Sequence, residues 1–96
     1  MTDSQTVKMV DRFGPALLSR ADGARARELV RELHGRASHL SVDFSDVEVI
    51  APGFADEFFG RLPTELFESG WLSIDQLPPR FGSLHRLVMS RAAPAA

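Results

Sequence analysis

Cysteine is absent from all 96 residues. With no thiol there is no disulfide framework, no zinc–thiolate site and no cysteine nucleophile. An excess of positive charge is missing too: eleven Lys and Arg stand against thirteen Asp and Glu. The basic residues are interleaved with acids rather than massed, whereas a duplex-binding face needs concentrated positive charge against phosphates. Nucleic acid is therefore not an expected partner. No apolar run approaches the roughly 18 residues of a membrane-crossing helix. The opening MTDSQTVKMV has neither the basic nor the apolar region of a secretory signal. The expectation is a cytoplasmic protein with no membrane partner.

The signatures of catalysis are also missing. His34, His39 and His85 fall in separate elements, with neither HxH nor HExxH spacing. There is no GxSxG-like elbow to poise a serine. Asp43, Asp46, Asp56 and Glu57 lie around one corner, where carboxylates can hold Mg²⁺. No lysine or phosphate-cradling loop accompanies them. The expectation is a chain with no catalytic residue, no cofactor and no metal.

What is present is an ordinary globular pattern, 44% hydrophobic and 25% charged. The length suits one domain, with residues 1–5 and 92–96 expected as tails. Thr6 to Met9 reads as a short strand and Gly14-Pro15 as a turn. Ser19 or Asp22 can cap a helix that has Gly23 in its first turn. That helix carries Ala26, Leu29, Val30 and Leu33 on one face and solvated Arg25, Arg27, Glu28, Arg31 and Glu32 on the other, and Gly35 is expected to close it in a left-handed conformation. HLSVDFS alternates as a strand, with Val47, Val49 and Ile50 buried beyond it. Phe54, Phe58 and Leu62 then recur at i, i+4, i+8 on a second helix, beside Ala55 and Phe59. Pro63 interrupts the row, and Thr64 is the expected cap of the turn or two that follow. WLSID reads as a strand, and a last helix over roughly Arg80–Arg91 turns Phe81, Leu84, Leu87 and Val88 inward. Strands alternating with helices favour parallel pairing. The fold class is α/β, with a mixed sheet of about four strands flanked by three to four helices. Phe44, Val42, Ile50, Phe58, Leu29, Val30 and Leu33 are expected in the core.

The corner VIAPGFADEFFGRL, Val49 to Leu62, concentrates the interest. Pro52 suits the first helical position, where its missing N–H is not needed. Gly53 permits a sharp turn or a close approach. Asp56 and Glu57 are read as first-turn residues that complement the helix dipole; the sharper reading has one of them project as a recognition carboxylate for a partner's Arg or Lys. The phenylalanine row is read as core rather than as a ligand box.

FGPALLSRADGARARELVRELHG followed by LSVDFSDVEVIAPGFADEFFGRL resembles the STAS-like domain family of unknown function. An Arg-led helix, a strand ending in an Asp-Phe pair and a FADE helix carry the resemblance, from about Val7 to Leu62. That family is similar in turn to the STAS domains of anti-sigma factor antagonists. Those dock a serine kinase of the ATP-dependent type, or an anti-sigma factor, through the loop and helix after a central strand, under control of a phosphorylated serine in a turn. Aligned on Ile50, that turn falls on Ala51, Pro52 and Gly53, none with a hydroxyl, and the nearest upstream is Ser45. The resemblance implies a non-catalytic regulatory module that docks a protein partner, such as a kinase-like ATPase, through residues 51–62, without the phospho-serine switch. Pro52, Gly53, Phe54, Asp56, Glu57 and Arg61 are the nominated contacts. Two other readings stand beside it: a structural domain that self-associates as a homodimer, through an exposed strand edge or with the apolar final helix as a packing surface, and a nucleotide or small-molecule binder that uses the helix N-terminus.

Overall fold

The alternation of HLSVD becomes the central strand of a parallel sheet. The structure, a computed structural model, describes residues 3–92. Along them run β1 (Ser4–Lys8), α1 (Met9–Phe13), β2 (Ala16–Leu17), α2 (Arg20–His34), β3 (His39–Asp43), β4 (Val49–Ile50), α3 (Pro52–Phe58), α4 (Thr64–Glu68), β5 (Leu72–Asp75), a 3₁₀ turn (Pro79–Phe81) and α5 (Ser83–Ala92). β3 lies between β1 and β5, parallel to both. Parallel neighbours need crossovers of a dozen residues or more. The stretch through α2 supplies the first, and α3 with α4 the second.

Register aligns the apolar positions. Val7, Val42 and Ile74 stand across the sheet from one another, as do Leu40 and Leu72, and all five are buried. The opposite face carries Thr6, Ser41 and Ser73, then Lys8, Asp43 and Asp75, none of them buried. There the Ser41 and Ser73 hydroxyls donate to the Asp75 carboxylate.

The α/β class is as expected, but its parts are distributed differently. Among the described residues five α-helices appear, and all strand pairs are parallel, in a three-stranded and a two-stranded sheet rather than one mixed sheet. Asp46, at φ 65°, turns the chain off the end of β3. β4 therefore leaves the main sheet and pairs with β2, Ala16 opposite Val49 and Leu17 opposite Ile50. Met9 opens α1 instead of continuing the strand. β1 begins at Ser4 and α5 runs to Ala92, so the expected tails shrink; residues 1–2 and 93–96 lie outside the described residues.

Ser19 caps α2, its Oγ accepting the Asp22 N–H at 3.0 Å. The other end closes without a left-handed residue. Gly35 stays right-handed at φ −87°, and the Leu33 carbonyl accepts from both Arg36 and Ala37. Thr64 is the first residue of α4 rather than its cap, because Pro63 holds the extended position before it. Gly82, at φ 60°, separates the 3₁₀ turn from α5, so the last helix starts three residues later than expected.

In the core, Phe44, Val42, Phe58 and Val30 are buried as expected, while Ile50, Leu29 and Leu33 pack partly buried against them. Two expected core residues are outside: Val49 is 47% exposed and Leu87 is 54% exposed. No helix among the described residues is long and apolar enough to cross a membrane.

Candidate functional site

The corner is anchored before the helix begins. The Ala51 N–H donates to the Leu17 carbonyl at 2.8 Å, tying β4 to β2. Ala51 is extended (φ −78°, ψ 154°), and Pro52 takes the first helical position, where its fixed φ suits the helix. Because the helix starts at Pro52, Asp56 and Glu57 fall one turn later than the dipole reading requires. The first turn of α3 contains no acid, so dipole complementation is not their role.

Their partners lie on α2. A Cβ on Gly23 would come within 2.9 Å of both the Glu57 Cβ and the Phe54 carbonyl oxygen, and one on Gly53 within 3.2 Å of the Arg20 Cγ. These two glycines let α2 and α3 meet backbone to side chain. The close approach brings guanidinium groups to the acids. Arg20 reaches Asp56 at 2.7 Å and Glu57 at 3.4 Å. Arg27 reaches the Glu57 Oε2 at 3.1 Å and also donates to the Glu57 backbone carbonyl. Arg61 approaches Glu57 through Nε at 3.4 Å.

The Glu57 side chain is 17% exposed, against 59% for Asp56. The hydrogen bond from Arg20 and its charge hold the Asp56 carboxyl below its ordinary range and raise the Arg20 guanidinium. The hydrogen bond from Arg27 lowers Glu57, with partial desolvation opposing it and the charges of Arg61, Arg27 and Arg20 assisting. Both acids are thus held as carboxylates, and Glu57 serves as a clamp between helices.

The aromatic row faces the other way. Phe54, Phe58 and Phe59 are essentially inaccessible, and their rings contact one another and Phe44, with centroids 4.9 Å apart for Phe58–Phe59 and 5.4 Å for Phe44–Phe59. Phe54 also meets Phe13 edge-on. Of the nominated contacts, Pro52, Asp56 and Arg61 are exposed and Gly53 half-buried. Phe54 cannot touch a partner, because it is core, and Glu57 is committed to α2.

On the flank away from α2 the helix opens on a groove of about 590 Å³, lined by Ile50, Pro52, Ala55, Ser83, Leu84 and Leu87. Sequence reasoning did not place this groove, although it had offered the final helix as a packing surface for self-association. It had assigned Ile50, Leu84 and Leu87 to the core, and the period of an amphipathic helix does not say which of its apolar residues lack a neighbour. It also missed Arg20 and Arg27 as site residues, although 20, 23 and 27 recur at i, i+3, i+7 on one side of α2. The four corner acids do not gather. The Asp43 carboxylate accepts the Ser45 N–H at 2.8 Å, and Asp46 pairs with Lys8 at 3.4 Å. Among the described residues no group of three or more acids or histidines could hold a metal ion.

Residues 22–69, from the first turn of α2 to just past α4, match the family model described as STAS-like domain of unknown function (DUF4325). No curated protein and no solved structure matches the chain.

Proposed function

The chain belongs to the STAS-like domain family of unknown function, and we propose that it acts as a non-catalytic regulatory module that docks a signalling protein at this corner. The partner class is the one the wider STAS resemblance implies, a kinase-like ATPase or an anti-sigma-type protein. The observation that supports the reading is the flank of α3 toward α5, where Pro52 and Ala55 line an apolar groove that no described residue fills. Protein docking sites combine such an apolar centre with a polar rim. Ala51, Pro52 and Gly53 carry no hydroxyl, so control of docking does not run through a phosphorylated serine in this turn.

The test places an acid on each wall of the groove. Leu87→Asp changes an exposed side chain of α5, and Pro52→Glu puts a carboxylate in a first helical turn, where it is well tolerated. A stoichiometric partner captured by the wild type from the native host should be lost by both variants, their folds confirmed by circular dichroism. A partner that binds wild type and both variants alike would remove the corner from consideration.

A further inference from the structure

Among the described residues two hold a positive φ without being glycine, and both line one crevice. Asp46 (φ 65°) follows β3 and Gln76 (φ 59°) follows β5. The left-handed region is unfavourable for a residue with a Cβ, and Asp tolerates it better than Gln does. Asp46 turns the chain away from the main sheet toward β4, whereas no change of sheet follows Gln76. Strain of this kind persists only where the surroundings enforce it, and it gathers at binding sites. The crevice also lies at the carboxyl ends of parallel strands, where open α/β sheets take their ligands.

Its walls are tied together. The Phe44 N–H donates to the Asp75 carbonyl at 2.9 Å, and the Glu48 N–H to the Pro15 carbonyl at 2.7 Å. The Nη2 of Arg80 donates to the Val47 carbonyl at 2.8 Å and to the Glu48 carbonyl at 3.4 Å. The crevice measures about 560 Å³, within the range of small-molecule sites. None of its lining residues belongs to the groove between α3 and α5.

Charge narrows the occupant. Asp46 is answered by Lys8 at 3.4 Å. Among the described residues neither Glu48 nor Arg80 has an ion-pair partner, and the Ser45 hydroxyl and the Gln76 amide make no hydrogen bond. Arg80 is held flat, its Cζ 4.9 Å from the centre of the Phe81 ring, with Nη1 and Nε left for another acceptor. The crevice thus offers one unanswered charge of each sign. A guanidinium edge reads a carboxylate through two parallel bonds, and a carboxylate takes an ammonium. A ligand of a single sign would set one of these groups against like charge, so a ligand carrying both is complementary.

We infer that this crevice binds a small zwitterion, a free α-amino acid, with its carboxylate on Arg80 and its ammonium on Glu48. Ser45 and Gln76 supply further hydrogen bonds, and Pro15 and Pro78 give apolar surface for the side chain. The inference goes beyond the docking reading and does not rest on it.

Scanning calorimetry of the wild type in each protein amino acid at about 10 mM tests it, because a ligand of the native state alone raises Tm. At least one amino acid should raise Tm, while its N-acetyl and amide derivatives, each lacking one charge, should not. In a titration with that amino acid, Arg80→Gln should weaken binding about tenfold or more, since a two-bond carboxylate contact is lost. Glu48→Gln should weaken it about fivefold, the scale of one exposed pair. Arg80 also bonds the Val47 and Glu48 carbonyls, so Glu48→Gln decides the matter if Arg80→Gln does not fold. Gln76→Gly should leave the free protein as stable or more so while weakening binding, a combination that a purely structural turn residue does not give. Leu87→Asp should leave binding unchanged. No rise in Tm with any amino acid, an equal rise with the N-acetyl derivative, or full binding in Glu48→Gln would overturn the inference. So would loss of binding in Leu87→Asp, which would move the ligand to the groove between α3 and α5.

Discussion

The two flanks of α3 are built to opposite ends. Toward α2 the helix is held at contact distance: Gly23 has no room for a methyl group, Gly53 lies under Arg20, and Glu57 is clamped by Arg27. Toward α5 the same helix shows Pro52 and Ala55 to an open apolar trough, with Leu87 of the far wall half in water. Interiors normally pack to crystal density, and the α2 flank conforms. The α5 flank leaves apolar surface that a neighbour would cover. The difference separates what holds the corner in shape from what the corner presents.

Removing the shared core beneath both flanks should have the largest effect. Phe58→Ala deletes a fully buried ring in contact with Phe44, Phe54 and Phe59. It should cost about 3–5 kcal/mol in urea unfolding, followed by the fluorescence of Trp71. That residue is the only tryptophan and is fixed by its indole bond to the Ala37 carbonyl at 2.8 Å. A cost below about 1 kcal/mol would mean that the aromatic row is not the core of this fold.

The tight flank itself can be pried open. Gly23→Val drives a branched side chain into the Phe54 carbonyl and the Glu57 Cβ. Backbone atoms yield little, so the expected loss is about 2 kcal/mol or more. A neutral result would show that α2 and α3 can slide apart freely and that the contrast between flanks is not enforced.

A gentler probe is acid. Asp56 and Glu57 are both depressed by their arginines. A carboxyl with a lowered folded pKa contributes stability above its unfolded pKa and loses it as pH falls through the folded one. Stability should therefore decline as pH drops through and below the ordinary carboxylate range. Glu57→Gln should be less stable than wild type at neutral pH and show a shallower decline in acid. An unchanged acid slope would mean that Arg27 does not hold Glu57 ionised.

The open flank should be nearly silent in stability. Leu87→Asp is expected to change it by less than about 1 kcal/mol, because the side chain is already 54% exposed. A loss comparable to that of Phe58→Ala would place Leu87 in the core and close the groove.

Much of the tight flank could be read in the residues. The i, i+4 spacing of Phe54 and Phe58 predicted a buried face, Pro52 marked the helix start, and Ser19 was one of two named caps. The register of the acids was not legible, because whether Asp56 falls in the first turn or the second depends on where the proline sets the start. Nor was the split sheet, which follows from one residue, Asp46, adopting a positive φ. Val49 and Leu87 carry the same apolar signal as their buried neighbours Val47 and Val88. Only the placement of β4 beside β2, and of α5 across α3, decides which of them meets protein.

The central claim is that the flank of α3 toward α5 receives a partner. Its most direct measurement is a binding titration of the captured partner against wild type and Leu87→Asp, run beside their unfolding curves. Unfolding curves that agree within about 1 kcal/mol, together with binding weakened about tenfold or more, are the predicted result. Equal affinities with coincident unfolding would contradict the claim and leave the groove as a surface that no partner uses.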